Sequence, residues 1–215
     1  MSGDRQVVSL YAAHALATFC ERGWEFAIGL FILEVFPNSL LPVAAYGVAE
    51  GLVKMLGGGH AGAWIDRSDR LTAVKKAFAL QNVGNALSSA MNWMMIYFTT
   101  NNQGFHDHDY VLLVFVILFG SAAAVGNMAA KIAVQRDWAK VLFEGDSEGL
   151  AHFNATMKAI DLSGLILSPV LVGVSMDIAG VGVTALVIPL FYAFAYPIEV
   201  RPNSTHPSQC AAAVY

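Results

Sequence analysis

The chain has 215 residues, of which 56% are hydrophobic and only 13% are charged, and its mean hydropathy is +0.55. Soluble domains carry about 25% charged residues, so this composition excludes an ordinary soluble domain and favours a polytopic membrane protein. The net charge of −4 says little, because in membrane proteins the placement of Lys and Arg matters more than their sum. The two cysteines, Cys20 and Cys210, are far apart and suggest neither a disulfide framework nor a zinc site.

Six apolar segments are each long enough to cross a bilayer as a helix, which takes about 20 residues. Their approximate limits are 7–35, 39–64, 71–99, 109–134, 150–177 and 179–200. Pro37 ends the first segment, and Pro42 falls in the opening turn of the second, where its missing N–H costs little. The sequence therefore predicts an all-α membrane protein, with a six-helix transmembrane domain over 1–200 and a short cytoplasmic tail over 201–215.

Lys and Arg residues concentrate in alternate connections between these segments. Four follow the second segment and four flank the connection after the fourth: Arg67, Arg70, Lys75, Lys76, Lys131, Arg136, Lys140 and Lys158. The connections after the first, third and fifth segments contain none. Because short cytoplasmic loops carry the excess of positive charge, this alternation predicts that both termini are cytoplasmic.

The first segment contains three ionisable groups near its middle, Glu21, Arg22 and Glu25. A charge at the centre of a membrane helix costs about 2.5–3.5 kcal/mol on insertion scales, so this face should point to other helices or to a wet cavity. One interpretation is a structural ion pair between Arg22 and Glu25, which are three residues apart. The other is that Glu21 and Glu25, one turn apart, bind a divalent cation or a proton.

Polar residues at helical spacing also mark other segments. In the second segment Glu50 and Lys54 are four residues apart and can neutralise each other. The third segment has a polar stripe, which either joins helices, the commoner case, or lines a pathway. That stripe consists of Asn82, Asn85, Ser89 and Asn92, with Gln81 beside it. No nucleophile–base triad or nucleotide-binding pattern is present, so the sequence predicts neither an enzyme nor a nucleic-acid partner.

The stretch GAWIDRSDR at 62–70 reads G-x-x-x-D-R-x-x-R and resembles the loop signature of major facilitator transporters. Four further stretches, in order along the chain, resemble the ferroportin family (solute carrier family 40) of ferrous iron exporters. They are ERGWEF with NSLL (21–41), AWIDRSDRL with ALQNV (63–83), QRDW (135–138) and FNATMKAIDLSGLILSPVLVG (153–173). Within the family, GVAEG around Glu50 and IDLS at 160–163 look closer to plant-type members.

This resemblance implies export of Fe²⁺, with Co²⁺, Ni²⁺ and Mn²⁺ as alternative cargoes and Ca²⁺ as a regulator. It implies that Glu21 and Glu25 bind metal and that Trp24 lies beside the pathway. By the same resemblance, Gln81, Asn82 and Glu199 match positions that contribute, with the first-helix acid, to a calcium site in animal members. An inner-gate network at the cytoplasmic helix ends is implied for Asp66, Arg70, Arg136, Asp137, Asn154 and Asp161.

The resemblance also implies a major-facilitator architecture of two six-helix lobes, of which this chain matches the first. We therefore expect a truncated half of an exporter, whose partners are membrane lipid, a divalent metal ion and a second six-helix half. The alternative is a transport-dead membrane protein that acts through interaction or metal sequestration. The sequence does not identify which membrane holds the protein.

Overall fold

The computed structural model describes residues 2–101, 107–133, 145–188 and 190–192. Within these ranges the backbone forms six α-helices and no strand, which confirms the all-α class. The helices are α1 (Ser2–Val35), α2 (Leu41–Arg67), α3 (Arg70–Asn101), α4 (Asp107–Ile132), α5 (Ser147–Ala179) and α6 (Val181–Tyr192). Each corresponds in order to one of the apolar segments of the sequence.

Proline and glycine set two of the helix boundaries where the sequence predicts them. The first helix ends at Val35, just before Pro37, and α2 begins at Leu41 with Pro42 in its first turn. Between α5 and α6, Gly180 adopts a φ of 86°. This left-handed conformation is strained for residues with a Cβ, so glycine separates two helices that would otherwise be continuous.

The connection between α2 and α3 is shorter than the sequence suggests, because only Ser68 and Asp69 separate the two helices. Asp69 caps α3: one carboxylate oxygen accepts hydrogen bonds from the Thr72 amide at 3.1 Å and from the Thr72 hydroxyl at 2.9 Å. The Asp66 and Arg67 of the GAWIDRSDR motif therefore belong to the last turn of α2.

Two of the helices are apolar and long enough to cross a membrane by length and composition alone, namely His108–Ile132 and Ser147–Ala179. The other long helices, α1 to α3, carry part of the polar and charged interior, to which Asn127 and Lys131 of α4 and Asp161 also belong. The limits of the six spans accordingly stay predictions.

The interior contains two apolar clusters. The first is built by α1, α2, α3, α4 and α6, with Trp24, Phe31, Tyr46, Met95, Val116 and Tyr192 among its members. The second lies among α2, α3, α4 and α5, with Ile65, Val74, Phe78, Ala130 and Phe153. Along α3, a layer of buried polar residues runs from Gln81 to Asn92. The part of α3 before this layer packs in the second cluster, and the part after it packs in the first.

Much of this polar layer joins helices. The Ser88 hydroxyl donates a hydrogen bond to a backbone carbonyl of α4 at 3.0 Å, and the Ser89 hydroxyl donates to a carbonyl of α6 at 2.8 Å. The amides of Asn82 and Asn92 donate to carbonyls of α3 itself. These contacts favour the interhelical interpretation of the stripe at Ser89, the one serine among its predicted members.

Glycines allow α3 and α4 to approach closely. A Cβ at Gly126 would lie 2.6 Å from the backbone nitrogen of Gln81, and a Cβ at Gly84 would lie 2.9 Å from the backbone nitrogen of Ala123. Small residues commonly bring membrane helices into backbone contact. Here they hold Gln81 against the middle of α4.

Candidate functional site

Glu21 lies inside the helix bundle and is only 8% exposed. Its carboxylate faces α4, where Lys131 contacts both oxygens, at 2.6 Å from Oε2 and 2.8 Å from Oε1. The side-chain amide of Asn127 also donates a hydrogen bond to Oε1. Asn127 and Lys131 are four residues apart on α4 and so present their side chains on the same face. The carboxylate thus has one cationic and one neutral donor.

Glu25 is held by two cations. Arg22 Nη1 lies 2.6 Å from its Oε2, and Lys54 Nζ of α2 lies 3.6 Å from its Oε1. Lys54 also contacts Glu50 at 2.5 Å. The Arg22–Glu25 and Glu50–Lys54 pairs that the sequence suggests are therefore both present, and Lys54 joins them. The geometry favours the ion-pair interpretation for Glu25.

Glu21, Glu25 and Glu50 thus meet Arg22, Lys54 and Lys131, three carboxylates against three cations. An isolated charge in a low-dielectric interior is costly. Removing one partner of a buried ion pair therefore costs about 3–5 kcal/mol, because it leaves the other charge uncompensated. This mutual neutralisation is how α1 keeps charges near its middle inside an apolar bundle.

Six polar side chains converge on one small cleft, which we call the Glu21 cleft. It is lined by Glu21, Glu25, Glu50, Gln81, Asn85 and Asn127, beside the rings of Trp24 and Tyr46. Its empty space, including the opening, is about 270 Å³. Gln81 is 2% exposed, and its Oε1 accepts no hydrogen bond from the described residues. A buried oxygen in this state is a ready ligand for an ion or a water molecule.

The cleft differs from a conventional metal site in its donor set. In the described ranges, no group of three or more His, Cys, Asp or Glu is arranged to hold a metal ion. A cation in the cleft would therefore be bound by carboxylates together with amide oxygens, the hard ligands that Ca²⁺ and Mg²⁺ also prefer. From α3, Gln81 and Asn85 line the cleft, whereas the predicted Asn82 is not among its lining residues. Glu199 lies outside the described residues.

Of the proposed gate residues, Asp66, Asn154 and Asp161 have side chains that the structure describes. Asp161 of α5 contacts α1, with Oδ1 at 3.0 Å from His14 Nε2 and 3.2 Å from the Thr18 hydroxyl. Asp66 and Asn154 are exposed, on α2 and α5 respectively. The Arg70 side chain, Arg136 and Asp137 lie outside what the structure describes. Asp161 thus links α1 and α5, and the gate network itself stays a prediction.

Comparison with known proteins identifies the family. Residues 4–201 match the family described as Ferroportin1 (FPN1). The chain belongs to the ferroportin family. This confirms the resemblance of the sequence motifs. Members of this family are integral, multi-pass membrane transporters and not enzymes.

Relatives of known sequence and structure are similar over much of the chain. Ferroportin of Canis lupus familiaris is 38% identical over 168 residues, covering 76% of this chain and 29% of the dog protein. Solute carrier family 40 member 1 of Arabidopsis thaliana is 28% identical over 183 residues, covering 85% of this chain and 35% of the plant protein. The chain therefore spans about a third of the length of these curated relatives.

A solved structure shares the fold. The crystal structure of a bacterial homologue of the iron transporter ferroportin, outward-facing and soaked with iron, matches with a TM-score of 0.81 and 25% identity. The match covers 92% of this chain and 48% of the bacterial chain. It confirms the fold as the N-terminal half of a ferroportin-type transporter.

GVAEG and IDLS resemble plant-type members, but sequence identity over the whole alignment is not higher with the plant relative. Identity is 38% with the dog protein and 28% with the Arabidopsis protein, although the plant alignment is the longer one. Short motifs weight a few positions heavily, whereas identity averages over the aligned length. The likeness of these two short stretches to plant-type members stays a prediction.

Sequence reasoning missed four residues of the ferroportin lobe's polar interior: His14, Thr18, Asn127 and Lys131. Lys131 was expected at the cytoplasmic flank of the fourth segment, but its ammonium reaches inward to Glu21. The sequence does contain a signal for two of these residues. Asn127 and Lys131 are polar residues four positions apart in the otherwise apolar stretch GNMAAKI, which indicates a polar face directed into the bundle.

Replacing Asp161 with asparagine should loosen α1 from α5. We expect the free energy of unfolding in detergent to fall by about 1–3 kcal/mol, because a hydrogen bond to a charged group is lost at a partly buried contact. Thermal unfolding followed by circular dichroism checks this. The matched control is Asp177→Asn, an exposed carboxylate on the same helix, for which we expect less than about 0.5 kcal/mol. Equal effects of the two substitutions would contradict the link through Asp161.

Proposed function

We propose that this chain is one six-helix lobe of an exporter of ferrous iron or a related divalent metal, with Glu21 as its principal metal ligand. The observation that carries the proposal is the Glu21 cleft in a chain of the ferroportin family. There the buried Glu21 and Gln81 line the same cleft, and Gln81 Oε1 accepts no hydrogen bond from the described residues. Ionisable residues that face the interior of a membrane bundle commonly mark an ion pathway.

The chemistry of the cleft suits a divalent cation. Carboxylate and amide oxygens would replace part of the hydration shell of Fe²⁺, and Co²⁺, Ni²⁺ or Mn²⁺ accept similar ligands. Trp24 forms an apolar wall beside the carboxylates. Glu25 contributes as a second ligand only when it exchanges one of its two cations for the metal.

Regulation by Ca²⁺ is a separate part of the proposal. Ca²⁺ takes six to eight oxygen ligands in flexible geometry, and Glu21, Gln81 and Asn85 offer three such side chains around one cleft. Asn82 is not among the residues that line the cleft, so its side chain would have to turn to contribute its oxygen. Glu199 is the further acid proposed for this ion.

Transport requires a second wall. In major facilitators two six-helix halves rock against each other around a central site, and this chain would supply the first half. We propose that both termini are cytoplasmic and that Asp161, on the α1–α5 contact, forms part of the inner gate. The other proposed gate residues are Asp66, Arg70, Arg136, Asp137 and Asn154.

The test is metal efflux from cells preloaded with radioactive iron. The chain is expressed alone and together with the C-terminal half of a ferroportin as a separate chain. We expect efflux above the vector background when both halves are present, and background efflux when this chain carries Glu21→Gln. Asp177→Asn serves as a control that keeps activity, because Asp177 is exposed on α5.

Two results would overturn the transport proposal. One is efflux that is the same with Glu21→Gln as with the unchanged chain. The other is background efflux with both halves, even though this chain is inserted in the membrane and retains iron in a Glu21-dependent manner. The second result would support metal sequestration instead.

A further inference from the structure

We propose that Lys131 is a tethered counter-cation, which occupies the Glu21 carboxylate in the absence of metal and competes with the metal for it. The proposal rests on the proposed role of Glu21 as a metal ligand. Its basis is the contact of one ammonium group with both carboxylate oxygens, at 2.6 and 2.8 Å. Those two oxygens are the positions that a metal would use.

The other cations of the cleft are committed elsewhere. Arg22 contacts Glu25, and Lys54 bridges Glu25 and Glu50. Among the described residues, the ion pairs of Lys131 are with Glu21. A metal that binds Glu21 therefore has one protein cation to displace.

Lys131 is placed so that it can leave. Its side chain is 33% exposed, whereas that of Glu21 is 10% exposed, so the ammonium approaches the carboxylate from the more open side of the cleft. Lys131 also lies in the last turn of α4, where the carbonyl end of the helix favours a cation. A long lysine stem can carry the charge to water while its methylenes stay in apolar surroundings.

The exchange has a consequence for release. When the metal departs, Lys131 returns to Glu21, so the carboxylate is never left as an uncompensated buried charge. Asn127 donates to Oε1 and keeps the carboxylate oriented during the exchange. A transporter site must bind its cargo weakly enough to let it go, and a built-in competitor achieves this.

The same device selects against monovalent ions. A tethered ammonium has a single charge and a high local concentration, so Na⁺ and K⁺ gain nothing by replacing it. A divalent ion gains twice the Coulomb energy at the same carboxylate. Lys131 thus acts as a specificity-determining residue of the cleft.

The test is calorimetric titration of the purified full chain in detergent with Co²⁺ alone. We expect Lys131→Met to bind Co²⁺ about tenfold more tightly, since the competing ion pair is removed. In this variant we also expect Na⁺ to weaken Co²⁺ binding, whereas in the unchanged chain it should have little effect. Combining Lys131→Met with Glu21→Gln should remove the gain.

Asn127→Leu is the matched control, because it removes the neutral donor to the same carboxylate and leaves Lys131 in place. We expect its Co²⁺ affinity to fall, because Asn127 orients the carboxylate that binds the metal. If Lys131→Met does not fold, as judged by thermal unfolding, Lys131→Gln replaces it. Lys131→Arg, which keeps the charge, should retain the affinity of the unchanged chain.

The proposal would be overturned if folded Lys131→Met or Lys131→Gln had a Co²⁺ affinity equal to or lower than that of the unchanged chain. In that case Glu21→Gln would still lower affinity, and Lys131 would be a structural partner only. If instead Glu21→Gln did not lower the affinity for Co²⁺, the metal-ligand role of Glu21 itself would be overturned.

Discussion

Replacing Glu21 with glutamine is expected to lower the affinity of the purified chain for Co²⁺ by at least about 100-fold. Substituting a residue that only orients a metal ligand typically costs about 10–100-fold in metal affinity, and the loss of a ligand should reach or exceed the top of that range. Glutamine keeps the size of the side chain and one oxygen, so the change tests the charge. Calorimetric titration in detergent measures it.

Glu25→Gln is the matched control, because it is the same substitution one turn later on the same helix. We expect a loss of less than about tenfold, since the oxygens of Glu25 are already held by Arg22 at 2.6 Å and Lys54 at 3.6 Å. A larger loss at Glu25 than at Glu21 would reverse the assignment. Thermal unfolding must show that both variants are folded, because each leaves a cation without its carboxylate.

The helix order follows from signals that are local in sequence. Long apolar segments define the helices, and Pro37 and Gly180 mark boundaries because proline and left-handed glycine interrupt helices through their own backbone geometry. The length of α2 was harder to predict. Asp66 and Arg67 read as loop residues, but the cap that Asp69 gives to α3 lets α2 run to Arg67.

The site was predictable only in part. The cost of charge in a membrane helix predicted that Glu21 faces inward, and its 8% exposure agrees. Its partner was not predictable, because counting positive charges near helix ends gives no direction for a side chain, and Lys131 turns inward. The Asp161–His14 contact spans 147 residues of sequence, a pairing that no local pattern encodes.

The choice between Asn82 and Asn85 shows the same limit. Both belong to one stripe of α3, and helical spacing alone cannot decide which of them faces the cleft. Packing decides it: Gly126 brings the backbone of α4 against α3 at Gln81, and in this arrangement Gln81 and Asn85 line the cleft. The position of the amides that line the cleft therefore depends on a close helix contact.

Disrupting that contact should destabilise the protein and the site together. We expect Gly126→Ala to lower the free energy of unfolding by about 1–3 kcal/mol, the usual cost of overpacking. The added methyl group would lie 2.6 Å from the Gln81 nitrogen and 2.8 Å from the Ala77 carbonyl oxygen. These are backbone atoms, so α3 and α4 must separate, whereas a flexible side chain could have moved aside.

Gly59→Ala provides the comparison, because a Cβ at Gly59 meets nothing within 4 Å. Alanine is the better helix former by about 0.8–1.0 kcal/mol, so this variant should be as stable as the unchanged chain or more stable. Thermal unfolding in detergent measures both variants, and Co²⁺ titration should show weaker binding for Gly126→Ala alone, since its helix shift moves Gln81 away from Glu21. Unchanged stability and binding in Gly126→Ala would mean that the close α3–α4 contact does not position the amide ligands of the cleft.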